Sequence, residues 1–119
     1  MKWFLVLLAL CSSSAFAAEV TGKWMFETNF LGAKDTVECR LQQSGKAVSG
    51  SCKGTQFPEA AAAGSFDEGV FRISFIYLFA DQSFNCTYQG TLHGEKDMAG
   101  SIVIASIDGV TGEFKARKQ

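Results

Sequence analysis

Val70-Phe71-Arg72-Ile73-Ser74-Phe75-Ile76-Tyr77-Leu78-Phe79 is the stretch that decides the fold. Phe71, Ile73, Phe75, Tyr77 and Phe79 recur at every second residue, and Arg72 and Ser74 begin the opposite face. A period of two is that of a strand with one buried face; a helix would scatter these rings around its axis. Turn-forming residues bound the run, Asp67-Glu68-Gly69 before it and Ala80-Asp81-Gln82-Ser83 after it.

Outward from this strand the same pattern repeats in both directions. Phe84, Cys86, Tyr88 and Leu92 alternate with Asn85, Thr87, Gln89 and Thr91; His93-Gly94-Glu95-Lys96 turns the chain into Met98, Gly100, Ile102 and Ile104. Ile107-Asp108-Gly109 is the expected turn into Gly112–Arg117. On the other side, Trp24, Phe26 and Thr28 alternate with charged or longer neighbours, as do Val37, Cys39 and Leu41. Ser44-Gly45-Lys46 makes a hairpin into Ala47–Cys52. Pro58 to Ala63 is the one two-way segment. Its alanines favour a helical turn with Pro58 near the first position. A strand of small side chains from about Ala61 to Phe66 would instead face the bulky residues beyond the Asp67–Gly69 turn, and this is the preferred reading. The expectation is therefore all-β, an antiparallel up-and-down barrel of seven to eight strands, because a meander that closes leaves no sheet edge exposed. A two-sheet sandwich would need longer crossovers than this chain has.

The N-terminus addresses compartment. Met1-Lys2, the apolar run Trp3–Leu10, polar Cys11–Ser14 and Ala15-Phe16-Ala17 follow the order of a cleaved signal peptide. The run is too short to span a bilayer, which takes about 20 residues. Leu8-Ala9-Leu10-Cys11 resembles a lipoprotein processing site except that Leu10 is not small. Cleavage after Ala17 takes 17 of the 119 residues, residues 1–17, and leaves 102, residues 18–119, enough for one domain. The expected location is secreted or periplasmic. With ten basic and twelve acidic residues in that part and no basic run, no nucleic-acid partner is expected. Glu38, Arg40, Arg72, Glu113, Lys115 and Arg117 lie off the apolar face, which argues against a barrel in lipid.

Cys39, Cys52 and Cys86 remain after cleavage, and an oxidising compartment implies one disulfide and one thiol. Counting outward from the Gly45 turn pairs Ser44 with Ala47, Leu41 with Gly50 and Cys39 with Cys52, opposite one another on one face. That register predicts a Cys39–Cys52 bridge and a buried Cys86 thiol. A slip of one residue would instead join Cys86 to either partner across the barrel. No metal or other cofactor is expected, since His93 is the only histidine.

Thr21-Gly22-Lys23-Trp24 at the start and Glu113-Phe114-Lys115-Ala116-Arg117 at the end resemble the calycin superfamily, which includes lipocalins, avidins and small bacterial metalloprotease inhibitors. The resemblance implies a first-strand tryptophan, Trp24, that plugs one end of the barrel beneath a last-strand cation, Arg117, as a closing structural pair. The Ser44-Gly45 turn leading to Val48-Ser49-Gly50-Ser51 is similar to the avidin branch. Phe26 and Cys52, however, stand where avidins carry polar and tyrosine ligand contacts, and no late tryptophan is present. A shared barrel is implied, and a shared ligand is not.

Two functions from different classes fit these residues. Phe26, Phe75, Tyr77, Phe84 and Tyr88 would line a pocket for a small apolar molecule. Alternatively, with Trp24 and Phe114, they fill the core, which the number of large rings favours, and the protein acts on another exported protein as an inhibitor-like or structural factor. No enzyme is expected: His93 and Glu95 sit in a polar turn, and there is no nucleophile for them to serve. Asn85-Cys86-Thr87 fits a glycosylation sequon that falls mid-strand. Ile76, Leu78 and Val103 fall opposite the core face and would form an exposed apolar patch, a surface for a partner or a second copy.

Overall fold

A computed structural model describes residues 19–30, 32–55, 57–79, 81–105 and 111–119. The leader, Cys11 and the expected Ile107–Gly109 turn lie outside the described residues, as does the side chain of Phe79. The elements are β1 (Gly22–Phe30), β2 (Ala33–Ser44), β3 (Ala47–Gly54), β4 (Ala60–Asp67), β5 (Val70–Phe79), β6 (Gln82–His93), β7 (Asp97–Ile104) and β8 (Gly112–Lys118). They pair in sequence order, all antiparallel, and β8 closes onto β1 to give an eight-stranded up-and-down barrel.

Register follows the alternation. In β5, Phe71, Ile73 and Phe75 are buried while Ile76 and Leu78 face outward, about half exposed. The alanine-rich segment is strand and not helix. Ala62 lies opposite Phe75 and Gly64 opposite Ile73, so small side chains on β4 leave space for the large ones on β5. At Gly64 the strands approach so closely that a Cβ would sit 1.8 Å from the Arg72 carbonyl oxygen, a contact only glycine allows.

The hairpin register places Ser44 opposite Ala47, Leu41 opposite Gly50 and Cys39 opposite Cys52. Cys39 and Cys52 form the disulfide, both buried, with Cα atoms 4.1 Å apart. Among the described residues, Cys86 is the free, buried thiol.

Candidate functional site

The interior is built by rings from strands on opposite walls. In a closed order of eight, β1 and β5 are four strands apart in either direction. Phe26 on β1 nevertheless touches Phe71 on β5 at a centroid distance of 6.2 Å, Tyr88 on β6 at 5.5 Å and Phe114 on β8 at 5.2 Å. Tyr88 also meets Phe75 at 5.2 Å and Phe114 at 5.4 Å. Separations of about 4.5–7 Å are those of rings in direct contact. The lumen is therefore spanned by side chains at this level. Of the five candidate ligand contacts, Phe26, Phe75 and Tyr88 belong to this stack.

Tyr77 and Phe84 are only half-buried and lie outside this stack, 6.4 Å from each other, at the end of the barrel where β1 and β5 finish. There Phe57, from the connection between β3 and β4, folds over the opening. It stacks on Phe75 at 5.6 Å and meets Tyr77 edge-on at 4.7 Å, and it is 6 % exposed. Gly54 makes room for it: a Cβ there would stand 2.5 Å from the Phe57 ring. Asp35 anchors the same connection, accepting hydrogen bonds from the backbone N–H of Thr55 at 3.4 Å and from the Thr55 hydroxyl. Phe57 carries no strand periodicity, and alternation had no means of finding it.

The opposite end is closed by the chain ahead of β1. Val20 is fully buried, and its carbonyl accepts the Trp24 indole N–H at 2.8 Å. The Val20 N–H donates to Gln43 Oε1 at 2.9 Å, and the Gln43 N–H donates to the Thr21 hydroxyl at 3.0 Å. Trp24 is buried, as the plug role requires. Arg117 does not cover it. Phe114 and Ala116 point inward, so Arg117 points out, where it lies 3.9 Å from Asp97 with its side chain 72 % exposed. The residue opposite Trp24 on β8 is Lys118, whose stem crosses Gly22. The expected Trp24–Arg117 pair is thus corrected by one residue of parity.

Burial sets the electrostatics of the interior. Desolvation pushes the Cys86 thiol up to about 11. It also raises Tyr88 and Tyr77, with smaller contributions to both from Asp35 and Cys86. All three groups are held neutral at physiological pH. His93 is exposed on the β6–β7 hairpin, 3.2 Å from the Thr91 hydroxyl.

No protein-family model, curated protein or solved structure matches the chain. The outer wall supplies the rest of the candidate site. A groove of about 440 Å3 runs over β2, β1 and β8, edged by Glu27, Lys34, Glu113 and Lys115. Two further grooves lie on the other side of the barrel, one without a charged residue and one lined also by Arg72. One of about 280 Å3 runs along Ala61, Ala63 and Ile76, and one of about 350 Å3 runs along Thr87, Val103 and Ala105. No helix among the described residues is long and apolar enough to cross a membrane.

Proposed function

We propose that this chain is an exported, non-enzymatic interaction protein whose barrel is filled and whose outer wall and loops meet its partners. The observation that carries this reading is the direct contact of Phe26 with Phe71, between walls that a ligand pocket would hold apart. Support comes also from both ends, one occupied by Val20 and Trp24 and the other by Phe57. The Cys39–Cys52 disulfide is compatible with an oxidising compartment, and Met1–Ala17 reads as the leader that would deliver the chain there. Outward charges on β1, β2 and β8 favour a barrel surrounded by water over one in lipid. A place in the calycin group suits the eight-stranded meander and the buried first-strand tryptophan. An avidin-like site does not suit it, since Phe26 and Cys52 are committed to the stack and the disulfide.

Native mass spectrometry of the exported protein tests the reading. The expected species begins at Ala18 and carries no small molecule, and an environment-sensitive apolar dye finds no saturable site on it. A stoichiometric bound ligand would make the protein a carrier and overturn the proposal.

A further inference from the structure

We propose that the outer face of β4, β5, β6 and β7 is the contact surface of a two-fold homodimer. The inference does not depend on whether the interior can take a ligand. It starts from how charge is distributed around the barrel. On the wall formed by β8, β1 and β2, successive rows across the strands carry Glu113 and Lys34, Lys115 and Glu27, Arg117 and Glu38, then Lys23 and Arg40. On the opposite wall the register aligns Ala63, Ser74, Thr87 and Val103 in one outward row, and Ile76 and Asn85 in the next. Leu78 and Ser83 follow, and along β5 and β6 the nearest charges among the described residues are Arg72 on one side and Asp81 on the other.

A face without charge is one that two copies of the same net-negative chain can share without repulsion. It offers little to a partner recognised by charge. Ile76 and Leu78, 47 % and 46 % exposed, form a ridge on β5 between the groove beside Ala61 and Ala63 and the groove beside Thr87 and Val103. A two-fold axis lying in the plane of the face and perpendicular to β5 sets the two ridges against each other, an isologous contact in which Ile76 and Leu78 of one copy pack on those of the other. The same axis runs the two β5 strands in opposite senses, bringing Arg72 of one copy toward Asp81 of the other at the rim. Four strands about 4.8 Å apart and seven residues at about 3.3 Å each give a footprint of roughly 400 Å2. With side-chain relief, two such faces bury on the order of 1,000 Å2, the lower bound for a specific interface. The dimer is accordingly reversible.

Sedimentation velocity on the exported protein, produced from the full chain and followed from micromolar to millimolar concentration, tests this. The expected result is a weight-average mass that rises toward twice the monomer. Ile76→Lys with Leu78→Lys should weaken association at least tenfold while thermal unfolding is unchanged, since both side chains are outward. Val70→Lys, an equally exposed apolar residue beyond the Arg72 row, should leave association unaltered, and Arg72→Glu should weaken it severalfold. A monomer throughout the range overturns the proposal. So does association that persists in the double variant.

Discussion

Phe26→Ala turns the filled-core reading into a number. Phe26 is fully buried and lies against Phe71, Tyr88 and Phe114. Removing a ring from a packed core costs about 3–5 kcal/mol, transfer and cavity terms together. A domain of this size has about 5–15 kcal/mol in all. At roughly 4–8 °C per kcal/mol, the melting temperature should fall by about 12–40 °C. If Phe26 instead edged a ligand cavity, one side of the ring would already lack partners, and truncation would cost far less. Urea unfolding monitored by circular dichroism measures the difference. Phe26→Leu, expected to lose under about 1.5 kcal/mol, supplies a point should the alanine variant fold too poorly to measure. A loss below about 1 kcal/mol for alanine with an unchanged urea slope would refute the packing argument.

Three other outcomes follow from the same contacts. Cys39→Ala with Cys52→Ala should lower stability by up to about 3 kcal/mol, as expected for a short closed loop; in the unaltered protein, non-reducing peptide mapping should join these two cysteines and leave Cys86 alone. Cys86 should resist thiol reagents until the chain unfolds. Because its folded pKa of about 11 lies above that of an unfolded thiol, near 9, the stability it contributes is complete below pH 9 and lost as pH rises toward 11; Cys86→Val should flatten the pH 9–10 part of that decline, below the range of the tyrosines. Gly64→Ala should cost at least about 2 kcal/mol by thermal denaturation, because its Cβ meets the backbone of β5 and not a side chain that can turn aside.

How far the fold could be read from the chain differs from element to element. The Val70–Phe79 alternation and the count from Gly45 were sufficient for β5, for the β2–β3 register and for the disulfide, because period two and a tight turn leave a single parity. Ala60–Ala63 was ambiguous on propensity. What decides it is tertiary: Phe75 and Ile73 need Ala62 and Gly64 opposite them. Arg117 was misplaced because a resemblance was allowed to outweigh parity. Phe114 faces inward, and three residues further on faces outward. Phe57 was out of reach altogether, since a ring in a connection signals nothing until Gly54 and Asp35 are seen to hold that connection across the barrel end.

The two ends of the barrel also bear on whether a carrier role is energetically plausible. At the β1 start, Val20, Thr21 and Trp24 are tied by three hydrogen bonds, and Val20 and Trp24 are fully buried, so that end should open with the rest of the fold. The Phe57 end is the weaker one, bordered by the half-buried Tyr77 and Phe84. Exposing the Phe57 ring would still cost about 1.5–3 kcal/mol, which keeps an open end to under about a tenth of molecules. Opening it does not create a pocket, because Phe75 and Tyr88 lie directly beneath. An apolar guest would have to displace a ring of similar size and expose it, so the apolar area gained and lost would nearly cancel. Hydrophobic burial, the force that loads a carrier, is already used here in closing the fold. What remains for recognition is the wall, charged on one side and uncharged along the Ile76 and Leu78 rows of β5 and β6 on the other.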